Sequence, residues 1–335
     1  MQLYSFASGD YYNYKLPQLF EACSLEALFY RLRRLLYYSN KLLSFPFNDS
    51  LNCRQLKTMP VFITSLNSGS NGNCYYIGNE KEAILVDAGI SCRETEKRMK
   101  RLGLSMEKVK AIFISHEHTD HISGVPVLAK KYQLPVYITA TTQKLGRLHL
   151  DEKLVKRFQA GKTVNIGSLG ITGFQKEHDA GDPHSFMVYA GPVKIGIITD
   201  VGIACEQVVH HFRQCHAAFL EANYDEEMLM SGSYPYYLKK RISDGKGHLS
   251  NIQALELFKN HRPSFMSHLI LSHLSKNNND PKLVTDLFNQ HAAGIKIIVA
   301  SRYEETEVYT IDDTLRKRKP VQQRKAEKPK QLSMF

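Results

Sequence analysis

The sequence predicts an α+β fold in which β-sheets pack on each other and helices flank them. Two observations lead to this class: short β-rich runs alternate with helical runs, and the alternation recurs in both halves of the chain. No repeat of fixed period indicates a solenoid. The pattern suits a sheet-on-sheet core with helices outside it.

The predicted elements follow one another from Val61. Two strands joined by a Gly-rich turn over 67–73 come first, then a third strand and a helix. Several β runs lie between 164 and 200, with Gly191-Pro192 as a hairpin turn, and the rest of the chain alternates helix and strand. We predict strands at 62–66, 74–78, 83–86, 109–115, 136–139, 217–221, 268–272 and 296–300, and helices at 93–102, 125–132, 206–213, 252–260 and 281–290.

The amino-acid composition restricts the class of protein and its expected location. The 335 residues are 43% hydrophobic and 23% charged, which is ordinary for a globular protein and excludes a disordered or fibrous chain. No uncharged apolar run approaches the roughly 18 residues that a membrane span needs. The six cysteines form no CxxC pair and no secretory leader precedes them, so we expect reduced thiols. We therefore expect a soluble, cytoplasmic protein without stable membrane association.

The formal charge of +11 is carried mainly by the two ends of the chain. Residues 316–330 contain eight basic residues and one acidic residue, residues 1–58 contain seven and four, and residues 59–315 contain 29 and 28. A nearly neutral body excludes a uniformly basic domain that coats nucleic acid. We predict three parts, an N-terminal extension over 1–58, a catalytic domain over 59–315 and a flexible basic tail over 316–335.

The extension is rich in Tyr, Phe and Leu, and residues 25–43 repeat apolar residues at helical spacing around an Arg cluster. This stretch is compatible with an amphipathic helix on a membrane surface. We favour a docking helix or an extension translated from an upstream start codon, because one amphipathic stretch alone does not establish a membrane address. Met59 also opens a segment that resembles a natural N-terminus.

The predicted strand over 109–115 runs into three imidazoles and the carboxylate of Asp120 within six residues. Because the chain turns at a strand end, His116 and His118 can face one metal while Asp120 and His121 face a second. Capping or turn chemistry explains any one Asp or His at a strand end, but together these residues predict a dinuclear metal site. Four further residues of these types follow other strand-like runs: Asp87, His178, Asp200 and His273.

This constellation resembles the metallo-β-lactamase superfamily, whose hallmark is HxHxDH with a later His, Asp and His. The resemblance covers residues 59 to about 311 and implies an αββα sandwich, two packed mixed β-sheets flanked by helices. It also implies two divalent ions, and nitrogen and oxygen ligands suit zinc or manganese without choosing between them. Carried over residue by residue, it implies a first metal bound by His116, His118 and His178, a second bound by Asp120, His121 and His273, and Asp200 as a bridge.

Two further assignments follow from the same resemblance. Asp87 would orient the metal ligands from behind. His184 lies six residues after His178 in HDAGDPHSF and competes with it for the third position of the first metal. We prefer His178, because it matches the family position after a β run and before the loop.

Two later stretches resemble elements of tRNase Z-like phosphodiesterases, LEANY from Leu220 and GHLSN from Gly247. In that resemblance Glu221 orients His248, and His248 protonates the leaving oxygen as a general acid. The alternative is that His248 merely starts a helix beside Ser250, which is suited to cap it.

A finer resemblance rests on seven segments: SGSNGNCYYI, SHEHTDHISG, EHDAGDP, LEANYDEEML, YPYYLKKRI, GKGHLSN and LSHLSKNNNDP. They are similar to the YycJ or WalJ branch, a bacterial group regarded as DNA exonucleases. The resemblance implies 5′-to-3′ trimming of DNA in repair or replication by a hydroxide that two metals generate, with Asp120 positioning the nucleophile. RNA stays open as a substrate, since no identified residue reads the 2′-hydroxyl. The alternatives are a small-molecule phosphodiesterase or thioesterase of the same fold and a non-catalytic, clamp-tethered protein that binds DNA.

The last five residues, QLSMF, are apolar after a strongly basic tail. They resemble the short QLxLF-type peptide by which bacterial repair and replication proteins dock on the DNA sliding clamp. A terminal anchor on a flexible tether would raise the local concentration of an exonuclease at the clamp. The resemblance implies these clamp-binding residues: Gln331, Leu332, Met334 and Phe335.

One cluster in the body has two interpretations. Tyr234, Tyr236 and Tyr237 stand beside Lys239, Lys240 and Arg241. The cluster either stacks bases and holds phosphates, or forms a helix that packs its aromatic face inward.

Overall fold

The computed structural model describes residues 60–313. The predicted N-terminal extension with its amphipathic stretch, and the basic tail with its QLSMF end, lie outside these residues. No helix between 60 and 313 is long and apolar enough to cross a membrane. Within the same range the cysteines are free thiols, as expected from the sequence: Cys74, Cys92, Cys205 and Cys215.

The first sheet has seven strands in the order β14-β1-β2-β3-β4-β5-β6. Pairing is antiparallel from β14 to β3 and parallel from β3 to β6. Its strands are β1 (Val61–Asn67), β2 (Cys74–Gly78), β3 (Ala83–Val86), β4 (Val109–Phe113), β5 (Val136–Tyr137), β6 (Val155–Lys156) and β14 (Tyr309–Ile311).

The second sheet repeats this plan with the order β13-β12-β11-β10-β9-β8-β7. Pairing is parallel from β13 to β10 and antiparallel from β10 to β7. Its strands are β7 (Thr163–Ile166), β8 (Leu169–Gln175), β9 (His184–Ala190), β10 (Val193–Ile198), β11 (Ala217–Glu221), β12 (His268–Ser272) and β13 (Lys296–Val299).

Helices connect the strands and cover the outer faces of the sheets. They are α1 (Cys92–Arg101), α2 (Thr119–Ile122), α3 (Val125–Tyr132), α4 (Ala140–Leu145), α5 (Glu206–Phe212), α6 (Glu226–Ser231), α7 (Tyr236–Ser243), α8 (Asn251–His261) and α9 (Pro281–Asn289), with a short 3₁₀ turn at Met106–Lys108.

Three apolar clusters show the layering. The central cluster joins the facing sides of the two sheets, for example Tyr75 of β2 against Phe219 of β11, whose ring centroids are 4.9 Å apart. A second cluster packs α1 and α3 on the outside of the first sheet. A third packs α5, α8 and α9 on the outside of the second sheet. The αββα sandwich of two mixed sheets is therefore confirmed.

The long predicted elements are found within a few residues of their expected ends. Local chemistry fixes several of these ends: Ser250 caps α8 through a reciprocal pair of hydrogen bonds with Gln253, so the expectation for Ser250 is confirmed. The prediction missed the short elements α2, α4, α6, β6 and β14. Elements of two to six residues carry too few periods for a pattern to emerge, and long-range pairing stabilises them instead.

Candidate metal centre

The predicted site residues meet where strands of both sheets end. Asp87 follows β3, Asp200 lies two residues after β10, and His273 follows β12. All three have left-handed backbones, with φ of 60°, 56° and 57°. This conformation costs roughly 1–2 kcal/mol in a residue other than glycine, although Asp and His adopt it more readily than most. Tertiary contacts hold these residues in that conformation.

One group of ring nitrogens belongs to His116, His118 and His178. Their candidate ligand atoms lie within 4.8 Å of one another. The Nδ1 atom of His118 is 3.1 Å from Nε2 of His116 and 3.3 Å from Nε2 of His178. Three converging imidazole nitrogens form a set suited to one zinc or similar ion. We call this the first ligand group.

Two rings of the first ligand group, those of His116 and His178, contact neutral oxygens. His178 donates through Nδ1 to the backbone carbonyl of Gly247 at 2.9 Å. Nδ1 of His116 lies 2.9 Å from the hydroxyl of Ser115, which itself donates to Asp87. Each contact leaves the Nε2 lone pair directed at the group. Burial lowers the pKa of His116 well below its usual value and that of His178 to about 3, so both rings are neutral.

A second group lies beside it and contains carboxylates. Asp120, His121, Asp200 and His273 offer ligand atoms within 4.8 Å of one another. Nε2 of His121 is 3.3 Å from Oδ2 of Asp200, and Nε2 of His273 is 3.5 Å from Oδ2 of Asp120. Two nitrogens and two carboxylates can hold a second divalent ion. We call this the second ligand group.

Carboxylates also lie behind the rings of the second ligand group. Nδ1 of His121 contacts Oδ2 of Asp87 at 2.7 Å, and Nδ1 of His273 contacts Oε1 of Glu221 at 2.9 Å. Asp87 is fully buried, and it also accepts from the backbone and hydroxyl of Ser115, both at 2.8 Å. Asp87 is therefore placed to fix the ring of His121, as the sequence resemblance implied.

The buried atoms of the second ligand group fit a cation. Oδ2 of Asp200 and Nε2 of His273 are buried and have no hydrogen-bond partner among residues 60–313. Burial lowers the pKa of His121 and His273, but the surrounding carboxylates, Asp200 foremost, outweigh it. They raise the pKa of His121 well above its usual value and that of His273 to about 10. The group therefore concentrates negative charge that a divalent ion would balance.

Glu221 and His248 form a further pair at the same cleft. Glu221 ends β11 and is fully buried, and its Oε1 contacts Nδ1 of His248 at 2.8 Å. Its Oε2 accepts from the backbone N–H groups of Val201 at 2.6 Å and Leu249 at 3.3 Å. Although burial alone would raise it, these partners, His248 foremost, lower the pKa of Glu221 to about 2. The carboxylate stays ionised and holds the His248 ring.

A third set of atoms also meets the distance criterion for an ion, that of Asp200, Glu221, His248 and His273. Glu221 is less suited to a metal, because both of its oxygens already accept hydrogen bonds. An ion in this set would need Nδ1 of His273 as a ligand, and that atom already contacts Glu221. The second ligand group uses the unpartnered Nε2 face instead.

The competitor His184 lies elsewhere. Its Nδ1 contacts the carbonyl of Asp182 at 2.9 Å, and its ring packs edge-on against Phe158 at 5.1 Å. His184 belongs to none of the three sets of converging ligand atoms found among the described residues. The structure brings His178 to the first ligand group and leaves His184 out of it.

Sequence reasoning gave no role to two residues that contact the centre. Nδ2 of Asn73 lies 3.0 Å from Oδ2 of Asp120 and 3.0 Å from Nε2 of His121. Oδ1 of Asp179 lies 3.4 Å from Nε2 of His178. Both stand in quoted segments, SGSNGNCYYI and EHDAGDP. Their Asn and Asp side chains are common in turns, so nothing local marked them.

The ligand groups open into a cleft of about 440 Å³. Its walls carry members of both groups together with His248, and one side is formed by α7 and the loop that follows it. An open cleft that is polar and lined with ligand atoms suits a polar substrate rather than a buried apolar one.

Comparison with known proteins agrees with this geometry. Residues 82–274 match the family described as Beta-lactamase superfamily domain. The exodeoxyribonuclease YycJ of Bacillus anthracis is 34% identical over 230 residues, which cover 67% of this chain and 86% of that protein. The exodeoxyribonuclease WalJ of Streptococcus pneumoniae is 35% identical over 225 residues, covering 65% and 83%.

A solved structure gives the same answer for the fold. The metallo-β-lactamase fold protein YhfI of Bacillus subtilis superposes with a TM-score of 0.58 at 15% identity, covering 75% of this chain and 99% of that one. Identity this low bears on the fold alone.

Proposed function

The chain belongs to the metallo-β-lactamase superfamily, in the family of the YycJ and WalJ exodeoxyribonucleases, and from this premise we propose that it is a metal-dependent 5′-to-3′ DNA exonuclease. It is a hydrolase of that fold. The observation that carries the proposal is the double contact of Glu221, whose Oε1 binds both His248 and His273. One carboxylate thereby joins a candidate proton donor to the second ligand group.

In this proposal the first ligand group holds one divalent ion and the second holds another, with Asp200 between them. Asp200 is placed for this, since it lies 3.3 Å from His121 and 3.9 Å from His178. Metal ions held there would supply an activated water at neutral pH and would neutralise charge on the phosphate. Zinc and manganese both accept this set of nitrogen and oxygen ligands.

Asp120 orients the attacking water. The imidazoles of His121 and His273 hold its pKa well below its usual value, although burial opposes them. Its carboxylate is therefore ionised and can accept a hydrogen bond from the water. Nδ2 of Asn73 donates to Oδ2 of Asp120 at 3.0 Å, and the backbone N–H of Asn73 donates to the backbone carbonyl of Asp120 at 2.6 Å. Gly89 permits this approach, because a Cβ there would lie 1.6 Å from that carbonyl.

His248 protonates the leaving sugar oxygen. Its Nδ1 is bound to Glu221, its side chain is 21% exposed, and it lines the cleft. Nε2 is thus the ring atom free to deliver a proton to the substrate. An alkoxide is a poor leaving group and needs such an acid, whereas a thiolate leaves without one. The pair therefore favours a phosphodiester over the thioester of the alternative function.

Digestion of DNA labelled at its 5′ or 3′ end tests the proposal. With Mn²⁺ or Zn²⁺, the wild type should release label from the 5′ end, and Asp120→Ala and His248→Ala should abolish or strongly reduce release. His178→Ala should lose activity and metal, whereas His184→Gln serves as a control that keeps bound metal. Failure of the wild type to cleave DNA with either metal, together with turnover of a small phosphodiester, would favour the small-molecule alternative.

The same digestion settles two finer points. A matched RNA substrate separates DNA preference from RNA preference, and the labelled end gives the polarity. We propose DNA because both relatives carry the printed name exodeoxyribonuclease. The same proposal places the enzyme in the cytoplasm, in DNA repair or replication. It also divides the chain into an extension, a catalytic domain and a tail, with boundaries after residues 58 and 315.

We also propose the bacterial sliding clamp as a partner, bound through Gln331, Leu332, Met334 and Phe335. A peptide of residues 316–335 should bind a purified clamp at physiological salt. The Phe335→Ala peptide keeps every charge, so a loss of binding would identify the apolar anchor rather than the basic tether. Equal binding of the two peptides would refute the assignment.

A further inference from the structure

Helix α7 exposes its aromatic residues. Tyr236 and Tyr237 each have 74% of their surface exposed. Of the two interpretations of this cluster, the inward-packed aromatic face is therefore wrong for these two residues. Tyr234, just before the helix, is half-buried and lines the cleft of the metal centre. Adjacent exposed aromatic side chains are typical of a surface that binds a partner.

Basic side chains share this surface. Lys240 and Arg241 are exposed in the last turn of α7. Lys240 stands four residues after Tyr236, and Arg241 stands four residues after Tyr237, so each pair lies on one face of the helix. Residues 234–246 contain four basic residues against the single acid Asp244. The surface is thus both aromatic and positive.

The helix is fixed to the metal centre. The backbone N–H of His248 donates to the carbonyl of Ile242 at 2.8 Å. Gly247 packs so closely that a Cβ there would lie 2.2 Å from the carbonyls of Arg241 and Ile242, and its own carbonyl binds His178. The end of α7 therefore touches both the candidate acid and a first-group histidine through one short loop.

Side chains form a second link between α7 and the metal centre. Nε of Arg241 binds Oδ2 of Asp179 at 2.6 Å, and Oδ1 of Asp179 lies 3.4 Å from His178. Arg241, Leu238 and Ile242 line the cleft from the α7 side. A strand that has its scissile phosphate at the metals and leaves the cleft past these residues would cross α7 and reach its outer surface, where Tyr236, Tyr237 and Lys240 are exposed.

We propose that α7 holds unpaired nucleotides of the strand being cut, with Tyr236 and Tyr237 stacking on bases and Lys240 contacting a phosphate. The inference rests on the proposed nuclease function. Tyrosine rings beside cations match the alternating aromatic and charged character of a single strand. The ligand is single-stranded because the bases of a duplex are stacked on each other and present no free face.

The test compares two substrates of one holoenzyme. In Tyr236→Ala/Tyr237→Ala, the KM for a 20-nucleotide single strand should rise tenfold or more, since two rings on which bases stack are lost. Hydrolysis of bis(p-nitrophenyl) phosphate, which has no base to stack, should stay within twofold of wild type. Tyr236→Phe/Tyr237→Phe keeps both rings and should behave as wild type on both substrates.

The phosphate contact has its own readout. Binding of a cleavage-resistant phosphorothioate single strand to the holoenzyme should show a shallower dependence on salt in Lys240→Ala, by about 0.7 in the slope of log K against log salt. Lys100→Ala, an exposed residue of α1 on the outer face of the other sheet, should leave that slope unchanged.

The outcomes separate the two proposals. Wild type that degrades DNA with unchanged KM in the double alanine variant would overturn the role of α7 and leave the nuclease intact. Wild type that hydrolyses bis(p-nitrophenyl) phosphate but no DNA would overturn the nuclease, and the role of α7 with it. A loss on both substrates in the double alanine variant would mean that the tyrosines support the metal centre rather than the strand, and would also overturn the inference.

Discussion

The two ligand groups use the same imidazole side chain in opposite electrostatic settings. Behind His116 and His178 of the first group stand neutral oxygens, the hydroxyl of Ser115 and the carbonyl of Gly247. Behind the second stand the carboxylates of Asp87 and Glu221. Burial lowers the pKa of His116 and His178 in the first group, whereas carboxylates, Asp200 foremost, raise the pKa of His121 and His273 in the second. Nearby carboxylate charge therefore makes the rings of the second group more basic.

The difference has a chemical consequence. An ion held by three neutral nitrogens and the shared carboxylate of Asp200 would stay more electrophilic than a neighbouring ion that also has Asp120 beside it. The first group is thus suited to polarising the phosphate, and the second to anchoring an ion beside Asp120 and the Glu221–His248 pair.

The largest effect is expected for Asp200, which contacts both groups. Asp200→Ala should remove most of the bound metal and lower cleavage by roughly 10³-fold or more, because Lewis-acid stabilisation by metal contributes several kcal/mol. Inductively coupled plasma mass spectrometry and strand cleavage on the same sample measure both. Retention of two ions in the variant would contradict the bridging position.

His248→Ala should lower DNA cleavage by about 10²- to 10⁴-fold while both metals stay bound, since only the proton donor is lost. The defect should shrink on bis(p-nitrophenyl) phosphate, because p-nitrophenolate leaves without protonation. Comparison of the two substrates in one preparation provides the control. An equal defect on both would show that His248 supports the fold of the site instead.

Asp87→Asn should weaken metal binding about 10- to 100-fold, and selectively in the second group, because it removes the charge behind His121. Asparagine tolerates the left-handed backbone that Asp87 adopts, so the fold should persist. Competition with a chromophoric chelator would resolve two binding steps in the wild type. A change in only one of the two metal-binding steps would support different surroundings for the two ligand groups. An equal change in both steps would contradict it.

The smallest effect concerns the stability of chelated protein. His178 has a folded pKa of about 3, below its usual 6.5, so its unfolded form binds more protons between these values and stability falls as pH drops from 6.5 to 3. His273 has a folded pKa of about 10, so its contribution is present below 6.5 and lost as pH rises through 10. Stability should therefore peak near pH 6.5 and fall on both sides of it.

Urea titrations across pH, with and without chelator, measure these limbs. His273→Gln should flatten the alkaline limb alone, and added metal should suppress both limbs by fixing the rings in their neutral form. An alkaline limb that survives in His273→Gln and in His121→Gln would place the titrating groups elsewhere.

Much of this site follows from the sequence, because the ligands stand directly after apolar strands. Parallel strands buried on both faces form conspicuous apolar runs, and Asp or His at their ends marks the edge where chemistry occurs. The sequence therefore predicts Asp200 after IGIIT and His273 after HLILS, together with the strands that these residues follow. The seven predicted ligands meet in two neighbouring groups.

What the sequence left open depends on packing. His178 and His184 differ in the sequence only by position, and the contact of His178 with Gly247 separates them. The aromatic side chains of α7 fit an inward or an outward face equally well until neighbouring elements are placed. Asn73 reaches Asp120 across 47 residues, a pairing that no local pattern reports.

Anomalous diffraction at the zinc and manganese absorption edges, on crystals grown with each metal, tests the account most directly. We predict two peaks, one among the ring nitrogens of His116, His118 and His178, and one among Asp120, His121, Asp200 and His273. A single peak, or a peak bounded by Glu221 and His248, would contradict the two unlike ligand groups and the role of His248 as an acid.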